Sequence, residues 1–157
     1  MATLVLLRHA KAQPHGPDDL HRELVPQGRA DAAAARSWLA EQHIAPDRVV
    51  LSPATRARQT WELAAVGEGE VVLDERLYAN TVDDLVEVLR DASTGAGVLV
   101  LVGHNPGLER LAWELDDSPA ARELTDRGLP TCAVAVFDVP EWGRTDGRLV
   151  ALGVPRG

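Results

Sequence analysis

The sequence predicts an α/β fold in which a mostly parallel β-sheet carries helices on both faces. Two observations carry that prediction. Short apolar runs at residues 4–7, 49–51, 71–73 and 98–102 lack polar alternation, as strands buried on both faces of a sheet require. Between them lie segments whose apolar residues recur at helical spacing, and the order strand, helix, strand, helix is that of a parallel sheet joined by crossover helices.

The elements follow in chain order. Residues 4–7 form a first strand, ended by Arg8 and His9. After Gly28, the stripe Ala30, Ala33, Ala34 and Trp38 marks a first helix. A second strand at 49–51 leads into a helix over 55–65, and a third strand lies at 71–73. Val82, Leu85, Val86 and Leu89 stand at i, i+3, i+4 and i+7, with Thr81 as N-cap. The fourth strand, 98–102, precedes a helix with Leu108, Leu111, Ala112 and Leu115 at the same spacing. Residues 116–130 are polar and broken by Pro and Gly, a surface connection with one short helical turn at most. Strands at 133–137 and 149–154 flank a turn-rich stretch with Pro140 and Asp146-Gly147, and at least one should be an antiparallel edge strand. No repeat, low-complexity tract or linker interrupts the chain, so residues 1–157 read as a single domain.

A net charge of −8, with Lys11 the only lysine, argues against nucleic acid as a partner. Cys132 is the only cysteine, which excludes an intramolecular disulfide and a Cys-based zinc site and suits a reducing cytoplasm. The apolar start stops after four residues, too short for a signal sequence or a membrane span, so a soluble protein without membrane partners is expected.

Ligands of open α/β sheets bind beyond the carboxyl ends of the strands. After the first strand come Arg8 and His9; after the second, Ser52, Pro53 and Arg56; after the fourth, Gly103, His104, Asn105 and Pro106. Ser52-Pro53 and Asn105-Pro106 each set an N-cap residue before a proline suited to the first helical position, which would turn two helix N-termini toward the same edge. Two arginines, two histidines and two helix ends make an anion pocket, and a phosphoryl group uses that many donors better than a monocarboxylate. No phosphate-binding glycine loop, metal-ligating cluster or cysteine phosphatase loop occurs, so no metal or cofactor is called for and histidine remains as the nucleophile. The Arg8 charge beside His9 would keep its ring unprotonated.

These residues resemble a known family. Leu7-Arg8-His9-Ala10-Lys11 is similar to the first signature of the histidine phosphatase (phosphoglycerate mutase-like) superfamily, and to the Arg-His-Ala-Lys form of its SixA-like phosphohistidine phosphatase branch. The Ser52 to Thr60 block and Val102-Gly103-His104-Asn105-Pro106 resemble its second and third blocks. Asp19 to Leu24, followed by Gly28, resembles a further segment of that branch, with Glu23 where proline is usual. The resemblance implies a three-layer α/β/α sandwich, a His9 nucleophile, and a phosphate pocket of Arg8, Arg56 and His104, with Arg22 and Asn105 as further substrate-binding residues. It places a general acid at Glu75, with Asp19 as a competing carboxylate. The expected function is a metal-independent phosphatase acting on a phosphohistidine protein domain, as monomer or weak dimer. The alternatives are a small-molecule phosphomonoesterase and, from a different class, a non-catalytic phosphate-binding adaptor. His15, His21 and His43 read as solvated, and Trp38, Trp61 and Trp113 as packing anchors.

Overall fold

Four apolar residues in succession cannot face water on either side, and residues 4–7 are fully buried in the middle of β1 (Ala2–Arg8). The structure, a computed structural model, describes residues 2–78, 81–92, 96–143 and 145–157. The remaining strands are β2 (Arg48–Leu51), β3 (Glu70–Leu73), β4 (Val98–Gly103), β5 (Val134–Val139) and β6 (Arg148–Gly153). The helices are α1 (Pro26–Glu41), α2 (Thr55–Ala64), α3 (Val82–Ala92), α4 (Gly107–Leu115) and α5 (Pro119–Thr125).

The six strands lie in the order β3-β2-β4-β1-β5-β6. β3, β2, β4 and β1 are mutually parallel; β5 runs antiparallel to β1, and the edge strand β6 runs antiparallel to β5. The period-2 side-chain alternation of a strand divides the core into two layers. Leu4, Leu6, Leu99, Leu101 and Phe137 pack under Leu85 and Leu89 of α3 and Leu108 and Leu111 of α4. Val5, Leu7, Val100, Val102 and Val134 pack under Ala32, Ala35 and Leu39 of α1 and Trp61 of α2. The result is the three-layer α/β/α sandwich that the sequence predicted.

Four local expectations are corrected. Residues 71–73 are not buried on both faces: β3 is an edge strand, Val72 faces a core layer, and Val71 and Leu73 stay 49% and 53% exposed. In α1 the buried stripe is Gly28, Asp31, Ala32, Ala35 and Leu39 rather than Ala30, Ala33 and Ala34; an alanine-rich helix is apolar on every side, so its period does not fix its phase. The 116–130 connection contains a real helix, α5, whose cap Ser118 accepts the Ala121 N–H and whose Pro119 occupies the first turn. Neither expected Ser-Pro or Asn-Pro cap forms: α2 begins at Thr55 behind Ala54, and α4 at Gly107 behind Pro106. Thr81 does cap α3, exchanging bonds with Asp84 in a reciprocal capping box. Among the described residues no helix is long and apolar enough to cross a membrane.

Gly28 lets α1 lie against the backbone just beyond β1. A Cβ there would overlap the Lys11 carbonyl oxygen, a backbone atom that cannot swing aside. We therefore expect Gly28→Ala to destabilise the protein by about 2 kcal/mol or more, measured by chemical denaturation. A change within about 0.5 kcal/mol would refute this account of the contact.

Candidate active site

Strand register sets three functional positions side by side. Arg8 pairs with Gly103, and Leu51 with Val102, so the residues that follow β1, β4 and β2 emerge together from adjacent strands. The ladder continues one step beyond the strands, with His9 N–H donating to the Gly103 carbonyl at 3.1 Å and Ser52 N–H to the Val102 carbonyl at 2.9 Å. On its other side β1 is fastened by Cys132 N–H donating to the His9 carbonyl at 3.0 Å. His9, His104 and Ser52 are thus placed by the parallel sheet itself.

His9 is 7% exposed, and its ring centroid lies 5.1 Å from that of His104, which is exposed to the same degree. His9 Nδ1 lies 2.7 Å from the Ala10 carbonyl oxygen. A carbonyl only accepts, so Nδ1 carries the proton and Nε2 keeps its lone pair. Burial, reinforced by the charges of Arg56, Arg8 and Arg22, pulls the His9 pKa down to about 4. His104 is pulled to about 3, by burial first and then by His9 and Arg56. Both rings are neutral at pH 7.

His104 has its own partner. Ser52 Oγ accepts the Ala54 N–H at 3.2 Å and lies 2.7 Å from His104 Nε2. When the hydroxyl donates to Nε2, the ring proton sits on Nδ1, which is buried and has no partner. Tyr78 packs its ring edge-on against His104 at 5.6 Å.

The two arginines are held differently. Arg56, 5% exposed, donates to the Asp19 carbonyl at 2.7 Å and to Asp19 Oδ2 at 3.1 Å. Arg8 donates through Nη1 to the Leu129 carbonyl at 2.9 Å. In both, Nε is buried without a partner. Arg22 joins the group, its Nε 3.1 Å from Asp19 Oδ1. Tyr78 Oη also donates to Asp19 Oδ2 at 2.6 Å. The phenol and the arginines hold the Asp19 carboxyl below its ordinary range. Asp19 is therefore ionised at neutral pH and anchors Arg56 and Arg22.

The site thus unites His9, Arg8, Arg56, His104 and Arg22. Asn105 is tied into the protein through its side-chain N–H groups, Nδ2 donating to the Leu129 carbonyl at 2.7 Å and to Glu109 Oε2 at 3.0 Å, while its buried Oδ1 has no partner. Glu75 is exposed at the rim of a cleft of about 570 Å³ lined also by Leu20, Pro53, Arg76, Tyr78 and Asp84, and among the described residues no hydrogen bond links it to either histidine. Cys132 is buried with its thiol pushed up to about 12, chiefly by burial, which leaves it unreactive. Sequence reasoning puts Ser52 at this edge only as a helix cap and does not foresee its contact with His104, nor the contacts of Tyr78 with His104 and Asp19; the one signal for Tyr78 is its place at the end of the turn after β3.

Comparison with known proteins agrees with this geometry. The pattern of the Histidine phosphatase superfamily (branch 1) matches residues 4–79. An uncharacterized protein of Mycobacterium tuberculosis is 35% identical, over 96% of this chain and all of its own length. A Nakamurella multipartitia structure, provisionally named a phosphohistidine phosphatase SixA, superposes with a TM-score of 0.89 at 30% identity, covering 98% of this chain and 96% of that one. An Agrobacterium tumefaciens structure with the same provisional name gives 0.86 at 28% identity, covering 98% and 99%.

Two buried neutral imidazoles also tie stability to pH. Below the unfolded pKa of about 6.5 the unfolded chain takes up protons that the folded rings refuse down to about 4 and about 3. This contribution is fully present above pH 6.5 and is lost as the pH falls from there toward 4. Ring-proton NMR should find both midpoints below pH 5; a His9 midpoint near 6.5 would contradict the buried, neutral assignment.

Proposed function

The chain belongs to the histidine phosphatase superfamily, in its SixA-like branch, and on that premise we propose that it hydrolyses phosphoryl groups through a phosphohistidine intermediate on His9, without a metal, with a protein phosphohistidine as the favoured substrate. One observation carries the reading. A neutral imidazole, its Nδ1 proton tied to the Ala10 carbonyl, shares the site with four buried nitrogens that make no hydrogen bond, Arg8 Nε, Arg22 Nε, Arg56 Nε and His104 Nδ1, of which Arg22 Nε faces the Asp19 carboxylate. Buried donors without partners are costly, and the non-bridging oxygens of a phosphoryl group would supply the acceptors they lack.

In the first step the His9 Nε2 lone pair attacks phosphorus, and the bond to the leaving atom breaks with its electron pair. The arginines and His104 Nδ1 neutralise the charge on the equatorial oxygens. In the second step water attacks phosphorus, the P–N pair returns to Nε2, and a proton passes to solvent as inorganic phosphate is released. A phosphohistidine ring protonated on its other nitrogen leaves as neutral imidazole, whose conjugate acid has a pKa of about 6.5, and departs readily, whereas an alkoxide is comparable to hydroxide from water, at about 15.7.

The preference for a protein substrate is supported by the shortness of the connection between β3 and β4, residues 74–97, which includes α3, and by the exposure of the rim residues Asp19 and Glu75. The neighbouring cleft of about 570 Å³ favours a second reading, a small phosphate ester whose leaving group lies against Leu20, Pro53 and Tyr78. The adaptor reading lacks its expected mark, since nucleophile and arginines are all present. We also propose cytoplasmic action as a monomer or weak dimer, in keeping with a lone buried thiol.

With a generic aryl phosphate in the presence of EDTA, the wild type should turn over and His9→Ala should lose at least about 10³-fold. The trapped phosphoenzyme should be acid-labile and alkali-stable. Activity unchanged in His9→Ala would overturn the His9 assignment and point to an unrelated site, and no turnover by the wild type would favour the adaptor.

Glu75 is proposed as the acid for poor leaving groups only. Glu75→Gln should slow phosphate-ester hydrolysis about tenfold or more while changing phosphohistidine hydrolysis less than about threefold. Equal losses on the two substrates would remove that role.

A further inference from the structure

Arg8 owes its position to a peptide group. Its Nη1 donates to the Leu129 carbonyl at 2.9 Å, and Asn105 Nδ2 donates to the same oxygen at 2.7 Å. The N–H of that residue, Leu129, donates to Glu109 Oε2 at 3.2 Å, and the same carboxylate oxygen accepts from Asn105 Nδ2 at 3.0 Å. The preceding residue, Gly128, has φ +82°, the left-handed region that favours glycine, and a Cβ there would collide with Glu109 Oε2. Two bonds and one steric fit therefore converge on the Glu109 carboxylate, and two more bonds on the carbonyl of the turn it grips.

We infer that Glu109, on the first turn of α4, is a positioning residue for phosphoryl binding: through Leu129 and Asn105 it fixes the Arg8 guanidinium so that Nε is left as an unpaired donor. Glu109 touches no reacting atom. Its route to the site is Glu109 to the Leu129 N–H, then the Leu129 carbonyl to Arg8, with Asn105 bracing both. Its negative charge also opposes the burial that pulls the Arg8 pKa down. The inference rests on the reading of Arg8 as a phosphoryl ligand.

Titration calorimetry with inorganic phosphate separates the two claims, because it reads binding without turnover. Glu109→Ala should weaken phosphate about tenfold or more. Glu109→Gln keeps an acceptor oxygen at the same reach and should lose less than about threefold. Glu109→Asp keeps the charge but withdraws the oxygen by one methylene, and should behave like Ala; it also replaces Ala as the test should that variant not fold. In the cycle with Arg8→Ala, the double variant should bind phosphate within about twofold of Arg8→Ala alone, because a residue acting through Arg8 has nothing further to lose. Fully additive losses, rescue by Asp but not Gln, or wild-type affinity in Glu109→Ala would each overturn the inference while Arg8 keeps its role. Wild-type affinity in Arg8→Ala would overturn the reading of Arg8 itself, and the inference with it.

Discussion

Arg56, His9 and His104, buried in one pocket beside the half-buried Arg8, avoid mutual repulsion when both imidazoles give up their protons. Burial favours the same outcome, because it penalises a charged ring more than a neutral one. The pKa values of about 4 and about 3 for His9 and His104 express these two causes acting together. The consequence is chemical as well as electrostatic. A ring neutral at pH 7 has a lone pair to offer, and the Ala10 carbonyl decides that the pair sits on Nε2. The cationic pocket and the available nucleophile are therefore one property of the site, seen from two sides.

Such a pocket is unfavourable in the free protein, since each buried unpaired donor costs about 1–3 kcal/mol. The sheet supports that cost because the site grows from its most deeply buried part. β1 and β4 are flanked by strands on both sides and covered by helices on both faces, and their ladder carries His9 and His104 out to the carboxyl edge without a loop between. Rotamers and positions at that edge are fixed by backbone bonds. Asp19 and Glu75 lie at the exposed rim of that edge.

Much of this was legible in the sequence, for physical reasons that can be named. Residues 4–7 and 98–102 are apolar on both faces because they are central strands, so their ends could be located to a residue, and with them Arg8, His9 and His104. Edge and centre could not be told apart for residues 71–73, since a three-residue apolar run does not say whether its second face is covered. The phase of α1 was hidden by its alanines, and the reality of α5 by a polar composition that also suits a loop. Side-chain bonds across the fold left no local trace: nothing near Ser52 announces His104, 52 positions away, and nothing near Glu109 announces Leu129. Asn105 defeats a local reading for the same reason. Its place beside His104 suggests a ligand contact, while its N–H groups are claimed by acceptors that come together only in the folded chain.

The contrast between the two arginines explains how an acidic protein of net charge −8 can hold a phosphoryl group. Arg56 is paired with a carboxylate, so part of its charge is cancelled by Asp19 before any ligand arrives. Arg8 is hydrogen-bonded to the Leu129 carbonyl dipole instead, with the Glu109 charge acting on it from behind that turn. Charges more than about 8 Å away are largely screened at physiological ionic strength, so the acidic surface weakens the pocket little. It does oppose polyanions, whose additional charges would have to lie against it. A phosphoryl group bound as proposed would meet Arg8 on a carbonyl and Arg56 on a carboxylate together. The Asp19 carboxylate beside Arg56 would compete with the phosphoryl oxygens for the same guanidinium, so this pairing trades capture of a phosphoryl group against release of phosphate.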